Sequence, residues 1–373
     1  MYLLSVLTVV ILAHAPGVAA AAQKPAAAQK PAARTAPKSP KPSVPSKAAA
    51  QNKAETLRKN AEALQQQVML DRAGFSPGII DGRAGANTSK ALAVFQAQNP
   101  GGAVPAGDPI TRYRITAEDA AGPFAEIPTD MMEKSKLPAL GYSSLLEALS
   151  ERFHATPALL QELNPGVTLA ADQEIQVPNV DPMLLPPAAT PKDTAPKETA
   201  APAKAADPAA NTGTSPAPRA ANTAQTKAAQ PPAPPKPTVL ITVGKAQKAL
   251  TVTNAEGKVV FYAPVTTGSE HDPLPIGEWK VNGVQMHPTF RYNPALFWDA
   301  DPEHTKAAIP AGPNNPVGVV WIDISKEHYG LHGTPEPSTI GRTESHGCVR
   351  LTNWDALKLA AMVKPGTRVV FTP

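Results

Sequence analysis

Two tracts built almost wholly of alanine, proline and lysine divide this chain before any element is assigned. One covers residues 23–53 and the other residues 181–236. Neither shows apolar periodicity, so neither buries enough side chain to offset the entropy of ordering it. Both are expected to be disordered tethers. Many of the 44 prolines among the 373 residues lie there, and overall proline is more than twice the average usage of roughly 5%. The parts that fold are therefore smaller than the length suggests.

The first residues read as an export signal. Leu3 to Ala13 is apolar, and Pro16-Gly17 leads into the small residues Val18 to Ala22. That run is shorter than the ~20 residues of a membrane span and fits a signal peptide over 1–22. Met1-Tyr2 carries no Lys or Arg, an atypical start, so a retained anchor is the alternative to cleavage. The expected location is the periplasm or cell wall, with no stable membrane span after cleavage. The net charge of +4 lies mostly in the tethers. It suits either an anionic polymer or a merely solvated linker. No basic motif interleaved with aromatics points to nucleic acid.

Between the tethers, Leu57, Ala61, Leu64 and Val68 repeat at helical spacing over 54–70, and 88–98 forms a second helix with Leu92 and Phe95 inward. The loop between them holds Gly74, Asp81-Gly82 and Gly85. Further on, 112–116 and 174–177 read as short strands. Residues 143–153 and 156–163 read as helices, the latter with Thr156 as N-cap and Pro157 following. From Pro237 the pattern turns to β. Residues 238–243, 249–253 and 259–263 alternate with period two, and 254–257 makes a hairpin turn. Extended pieces follow at 277–281 and 317–324. A helix over 353–363 is expected to be capped by Asn353, and 367–372 is a last strand. The expectation is a β-sandwich or barrel with one packed helix, large enough to fold alone.

Cys348 is the only cysteine. It makes no intramolecular disulfide, and an idle thiol is a hazard in an oxidising compartment. It lies in Ser345-His346-Gly347-Cys348-Val349-Arg350, downstream of Tyr329-Gly330-Leu331-His332-Gly333-Thr334. Nucleophilic catalysis by cysteine needs a base for the thiol and donors for an oxyanion. His332 and His346 are both candidate bases, and the amides of Gly347 and Cys348 can aim at one developing charge. A buried structural cysteine in a glycine turn is the competing account. His328 and His332 stand at i, i+4, but Gly330 and the strand context argue against a zinc site. No metal or cofactor is expected. His271, His287 and His304 read as surface or packing residues. The aromatic stretch 283–298 fits either a wall over the site or ordinary core.

The His332-Gly333-Thr334 and Ser345-His346-Gly347-Cys348-Val349-Arg350-Leu351-Thr352-Asn353 pair of motifs resembles the signature of the L,D-transpeptidase catalytic domain. Positions 333–344 separate the first histidine from Ser345. Pro275 to Trp279, Tyr329-Gly330 and Gly366 to Val370 add matches, so the resemblance covers 237–373. It implies Cys348 as nucleophile and His332 as base, with Gly333 holding the imidazole through its backbone. It implies His346, Gly347, Gly333, Ser345 and Arg350 as the oxyanion and substrate shell, and Asn353 and Tyr329 as substrate-contacting or structural residues. The implied substrate is peptidoglycan. The implied reaction is formation of 3-3 crosslinks from tetrapeptide stems through a thioester, by a monomer. Hydrolysis of the thioester, its transfer to a protein lysine, or non-enzymatic wall binding are the alternatives. Upstream, residues 54–103 resemble a three-helix peptidoglycan-binding domain through Leu64, Gln65, Leu70, Gly74, Asp81, Gly82, Gly85, Thr88, Ala91, Leu92, Phe95 and Gln96. Residues 110–180 resemble a degenerate LysM module that lacks the Gly-Asp-Thr loop and carries an insertion over 117–139.

Overall fold

The computed structural model describes residues 47–102, 105–185 and 238–373. The expected signal peptide, most of the first tether, and the second tether from 186 onward lie outside the described residues. Nearly all described residues fall in one compact unit, Gln51–Pro373.

The first helix, α1 (Lys47–Arg72), begins inside the stretch read as tether. Its apolar spacing is only partly used. Leu57 is 60% exposed, whereas Leu64, Val68 and Leu70 are buried. Helix α2 (Ala86–Gln98) packs through Thr88, Ala91 and Phe95. Among the described residues, 54–103 holds these two helices and not three; a turn closed by the Gly102 amide on the Asn99 carbonyl at 2.8 Å follows α2, and the next element is β1 (Ile110–Arg114). Strand β1 pairs antiparallel with β2 (Glu174–Pro178). Between them lie α3 (Ala117–Ala120), α4 (Met131–Lys134), α5 (Leu145–Arg152) and α6 (Pro157–Leu163). Thr156 caps α6 as its sequence predicts, its hydroxyl accepting from the Leu159 amide at 3.1 Å. One apolar cluster joins Leu64, Val68 and Ile80 to Leu149, Phe153, Leu160, Ile175 and Val177. The two upstream modules thus share a single core.

The β-rich part is neither a two-sheet sandwich nor a closed barrel. It comprises β3 (Leu240–Gly244), β4 (Ala249–Thr253), β5 (Val259–Pro264), β6 (Gly277–Met286), β7 (Phe290–Tyr292), β8 (Ala307–Ile309), β9 (Val320–Ile324), β10 (Gly330–His332), β11 (Val349–Arg350) and β12 (Arg368–Thr372). Eight of these form one mixed sheet in the order β11-β10-β9-β6-β12-β3-β4-β5, while β7 and β8 pair separately. Just past β5, Thr266 bridges Arg350 and Gly268 bridges Ser345, so the sheet curls until its two ends nearly meet. Helix α7 (Asn353–Met362) packs Ala356, Leu359 and Ala360 into the core with Ile241, Val252, Ile322 and Leu331. Its cap is Thr352 rather than Asn353, the Thr352 hydroxyl accepting from the Asp355 amide at 3.2 Å. Asn353 is freed for another task.

The upstream modules dock onto this sheet and helix. Residues 74–76 lie along β5. The Ser76 amide donates to the Tyr262 carbonyl at 2.8 Å, and the Tyr262 amide to the Gly74 carbonyl at 2.9 Å. Those bonds cover an edge strand that would otherwise be open. Lys358 of α7 reaches Asp71 of α1 at 2.9 Å. The Ser76 hydroxyl donates to Asp355 at 2.8 Å, and His154 stacks on Trp354 with ring centres 4.9 Å apart. Burial works against an ionised Asp71, but His154 and Lys358 hold its carboxyl well below the usual range.

Candidate active site

The motif residues meet where β10 and β11 run parallel, with Leu331 opposite Val349 and His332 opposite Arg350. One step earlier in that register, Cys348 lies beside Gly330. The turn that carries Cys348 is fastened from several sides. The Ser345 hydroxyl donates to the Cys348 carbonyl at 2.6 Å. The Ser345 amide donates to the Thr267 carbonyl at 3.0 Å, and Arg350 and Thr266 exchange amide bonds of 2.9 and 3.1 Å. Gly347 takes φ +99°, and a Cβ there would lie 2.6 Å from the Tyr329 ring. Only glycine turns the chain at that point with Tyr329 behind it.

His332 is 4% exposed. Its Nδ1 donates to the Gly333 carbonyl at 2.7 Å, which leaves Nε2 as the acceptor nitrogen. Trp321 stacks against the ring with centres 5.5 Å apart, and Gly330 leaves room for that indole, because a Cβ there would meet it at 2.5 Å. Burial and then the Arg350 charge pull the imidazole pKa down to about 3. Burial pushes the Cys348 thiol up, against a hydrogen bond from Gly330 and the charge of Arg350. The pair therefore rests as neutral thiol and neutral imidazole. In this state the thiol donates to the His328 carbonyl at 3.7 Å rather than to His332.

His346 belongs to another group. Its Nε2 meets Asp299 at 2.7 Å, and its ring stands edge-on to Phe297 with centres 5.0 Å apart. Nothing in the local sequence links Asp299 or Trp321 to the motif, because both arrive through the fold. The aromatic stretch 283–298 becomes the end of β6, β7 and a short 3-10 turn. Phe290, Tyr292 and Phe297 share a small cluster with Ile127, Met131 and Leu137 of the insertion and with Leu140 just past it. The insertion also sends Asp130 to His304 at 2.8 Å, and His304 meets the Tyr292 hydroxyl at 2.9 Å. Trp298 at the tip is 60% exposed and stacks on His271 at 4.4 Å.

Asn353 is fully buried and removed from any substrate. Its Oδ1 accepts from the Val319 amide at 3.2 Å. Its Nδ2 donates to Pro313 at 3.2 Å and to Glu151 of α5 at 2.7 Å. Among the described residues no group of three or more His, Cys, Asp or Glu is placed to hold a metal. No described helix is long and apolar enough to cross a membrane.

A thiol and a neutral imidazole carried by adjacent parallel strands, with a cation and a glycine-freed turn of amides, can carry acyl transfer. Comparison with known proteins agrees with that chemistry. Residues 238–371 match the model of the L,D-transpeptidase catalytic domain, YkuD. A Bacillus licheniformis protein provisionally named L,D-transpeptidase YkuD is 52% identical over 61 residues, which are 16% of this chain and 37% of that one. Escherichia coli YbiS, provisionally named in the same way, is 33% identical over 147 residues, 36% of this chain and 48% of its own. Bacillus subtilis YqjB, also provisionally named an L,D-transpeptidase, is 30% identical over 147 residues, 38% of this chain and 74% of its own. The chain thus spans about a third to a half of the first two relatives and nearly three quarters of the third. With the curled sheet and the paired histidine and cysteine motifs, these matches place the chain in the L,D-transpeptidase family.

Proposed function

We propose that the protein is an acyltransferase that crosslinks peptidoglycan from tetrapeptide stems, with Cys348 as nucleophile and His332 as base. One observation carries this reading: Nδ1 of His332 is committed to Gly333, so Nε2 presents a lone pair on the strand beside Cys348. Turning the thiol off the His328 carbonyl frees it for proton transfer. Sulfur then attacks the carbonyl of the L-to-D bond before the terminal D-alanine, as the proton passes to Nε2. The carbonyl oxygen takes up negative charge against the Gly347 and Cys348 amides, with His346 flanking the turn. When the C–N bond breaks, D-alanine leaves as an amine carrying the proton back from the imidazolium, and a thioester remains. The side-chain amine of a second stem attacks the thioester, His332 takes its proton, and the thiol is regenerated with a 3-3 crosslink formed. Arg350 favours sulfur as the thiolate in the transition state. Gly333, Ser345 and Tyr329 hold the shape of the site.

The upstream modules are read as wall-gripping elements at the periplasmic cell wall. A polymer-bound substrate is met more often by an enzyme that holds the same polymer. The test is purified full-length chain incubated with defined tetrapeptide stems, with products resolved by mass. Wild type is expected to release D-alanine and form 3-3 dimers, and a carbapenem is expected to add its mass at Cys348. Cys348→Ala is expected to lose all three while still cosedimenting with sacculi. Dimers formed at wild-type rate by that variant overturn the mechanism. Tripeptide alone would mark a carboxypeptidase, and a stem joined to a protein lysine would mark a wall anchor. No product with sacculus binding kept would mark a wall-binding protein without catalysis.

A further inference from the structure

We propose that Glu151, on α5 of the upstream module, is a positioning residue for His332, acting through Asn353 and the Gly333 peptide. This rests on His332 being the base. Three direct contacts make the connection. The Glu151 carboxyl accepts from Asn353 Nδ2 at 2.7 Å. Asn353 Oδ1 lies so close to Gly333 that a Cβ there would approach it to 2.0 Å, and the same holds at Gly318. The Gly333 carbonyl in turn takes the Nδ1 proton of His332 at 2.7 Å.

The Asn353 amide has no slack. The Val319 N–H fixes which end is oxygen, so Nδ2 must face Glu151 and Pro313. Removing the Glu151 acceptor leaves a fully buried N–H short of a partner, and the amide turns or shifts to find one. Both glycines against its oxygen are backbone, so a shift of Asn353 moves the 333 peptide and the ring bonded to it. A buried carboxyl is a costly way to fill space, and an apolar side chain would fill it at lower cost. Burial raises the Glu151 pKa to about 7, partly offset by hydrogen bonds from Tyr142 and Asn353 and reinforced by the Glu147 charge. The charged group that acts on it is Glu147 of α5, while Arg152 pairs with Asp119. The charged groups of α7, Asp355 and Lys358, turn instead to Ser76 and Asp71. The base of one module is thus held by the carboxyl of another.

The test uses full-length wild type, Glu151→Leu, Glu151→Gln and Cys348→Ala. It measures kcat and KM for D-alanine release, thermal midpoints, and the ring ¹⁵N shifts of His332 across pH. Glu151→Leu is expected to lower kcat between ~tenfold and ~hundredfold with KM unchanged, the scale of a misplaced catalytic group. Glu151→Gln still accepts from Asn353 and is expected to restore kcat to within about twofold, inside the usual spread of a conservative exchange. The His332 nitrogens of wild type are expected to follow a titration near neutral pH that is absent from Glu151→Gln. Folded Glu151→Leu with wild-type kcat, a loss confined to KM, or a loss that Gln does not rescue each overturns the proposal. If Glu151→Leu does not fold, identical pH traces for wild type and Glu151→Gln overturn it. Failure of the function itself looks different, with wild type inactive or Cys348→Ala as active as wild type.

Discussion

His332 shows how a side chain is tuned by what covers it. Its pKa of about 3 lies below the ordinary 6.5. Between those values the unfolded chain binds a proton that the folded chain refuses. His332 therefore costs stability as pH falls from 6.5 toward 3 and costs none above 6.5. The same shift keeps the ring unprotonated in mildly acidic solution. The pH profile of kcat/KM, recorded between about pH 4.5 and 8, is expected to show no acid limb from this imidazole near its ordinary value. A limb at 6.5 that vanishes in a His332 variant retaining residual activity would count against the burial argument. Cys348, the two candidate histidines His332 and His346, and Gly347 could be picked out because nucleophilic chemistry dictates residue types over a short span, while the choice of His332 between the two came from the family resemblance. Trp321, Asp299 and Glu151 could not. Each reaches its partner across a distance that only the sheet register and module docking set, and a lone tryptophan or glutamate carries no mark of its use.

Among elements, most strands and helices follow their periodicity, and each departure has its own tertiary cause. Alternation places β4 as expected, while the long pairing of β6 with both β12 and β9 extends it past the point where alternation stops. Helix α7 looks from sequence as if Asn353 caps it. Thr352 does so instead, because Asn353 is claimed by Val319, Pro313 and Glu151. Thr352→Ala is expected to lower stability by ~1 kcal/mol through loss of that cap alone. Chemical denaturation of the full chain checks it, and kcat should stay within about twofold when the variant is folded. The outer half of α1 is the reverse case. Leu57 has helical spacing yet is 60% exposed, because no partner among the described residues covers that face.

For the whole molecule, sequence composition suggested independent modules on tethers, and the described residues form a joined body instead. Tyr262 and Trp354 are each 1% exposed, and both are covered in part by upstream residues, Phe75 and His154. Contacts between positions nearly three hundred apart leave no trace in local pattern, so the docking was not readable. A chain cut to 238–373 uncovers these rings and leaves Lys358 without Asp71 and Asp355 without Ser76. It is expected to melt well below the full chain and to bind a hydrophobic dye, whereas an equal midpoint would show that the docking adds nothing. One feature of the sheet bears on where it opens first. Strand β11 is only two residues long, and the curl is fastened there by isolated bridges at Thr266 and Gly268. The free energy of local opening follows the contacts that must break together. The turn that carries Cys348 therefore sits beside the shortest pairing of the sheet, and the bonds of Ser345 and Arg350 to Thr266 and Thr267 are what hold it there. Local opening at that join can leave the ladder from β9 to β4 whole.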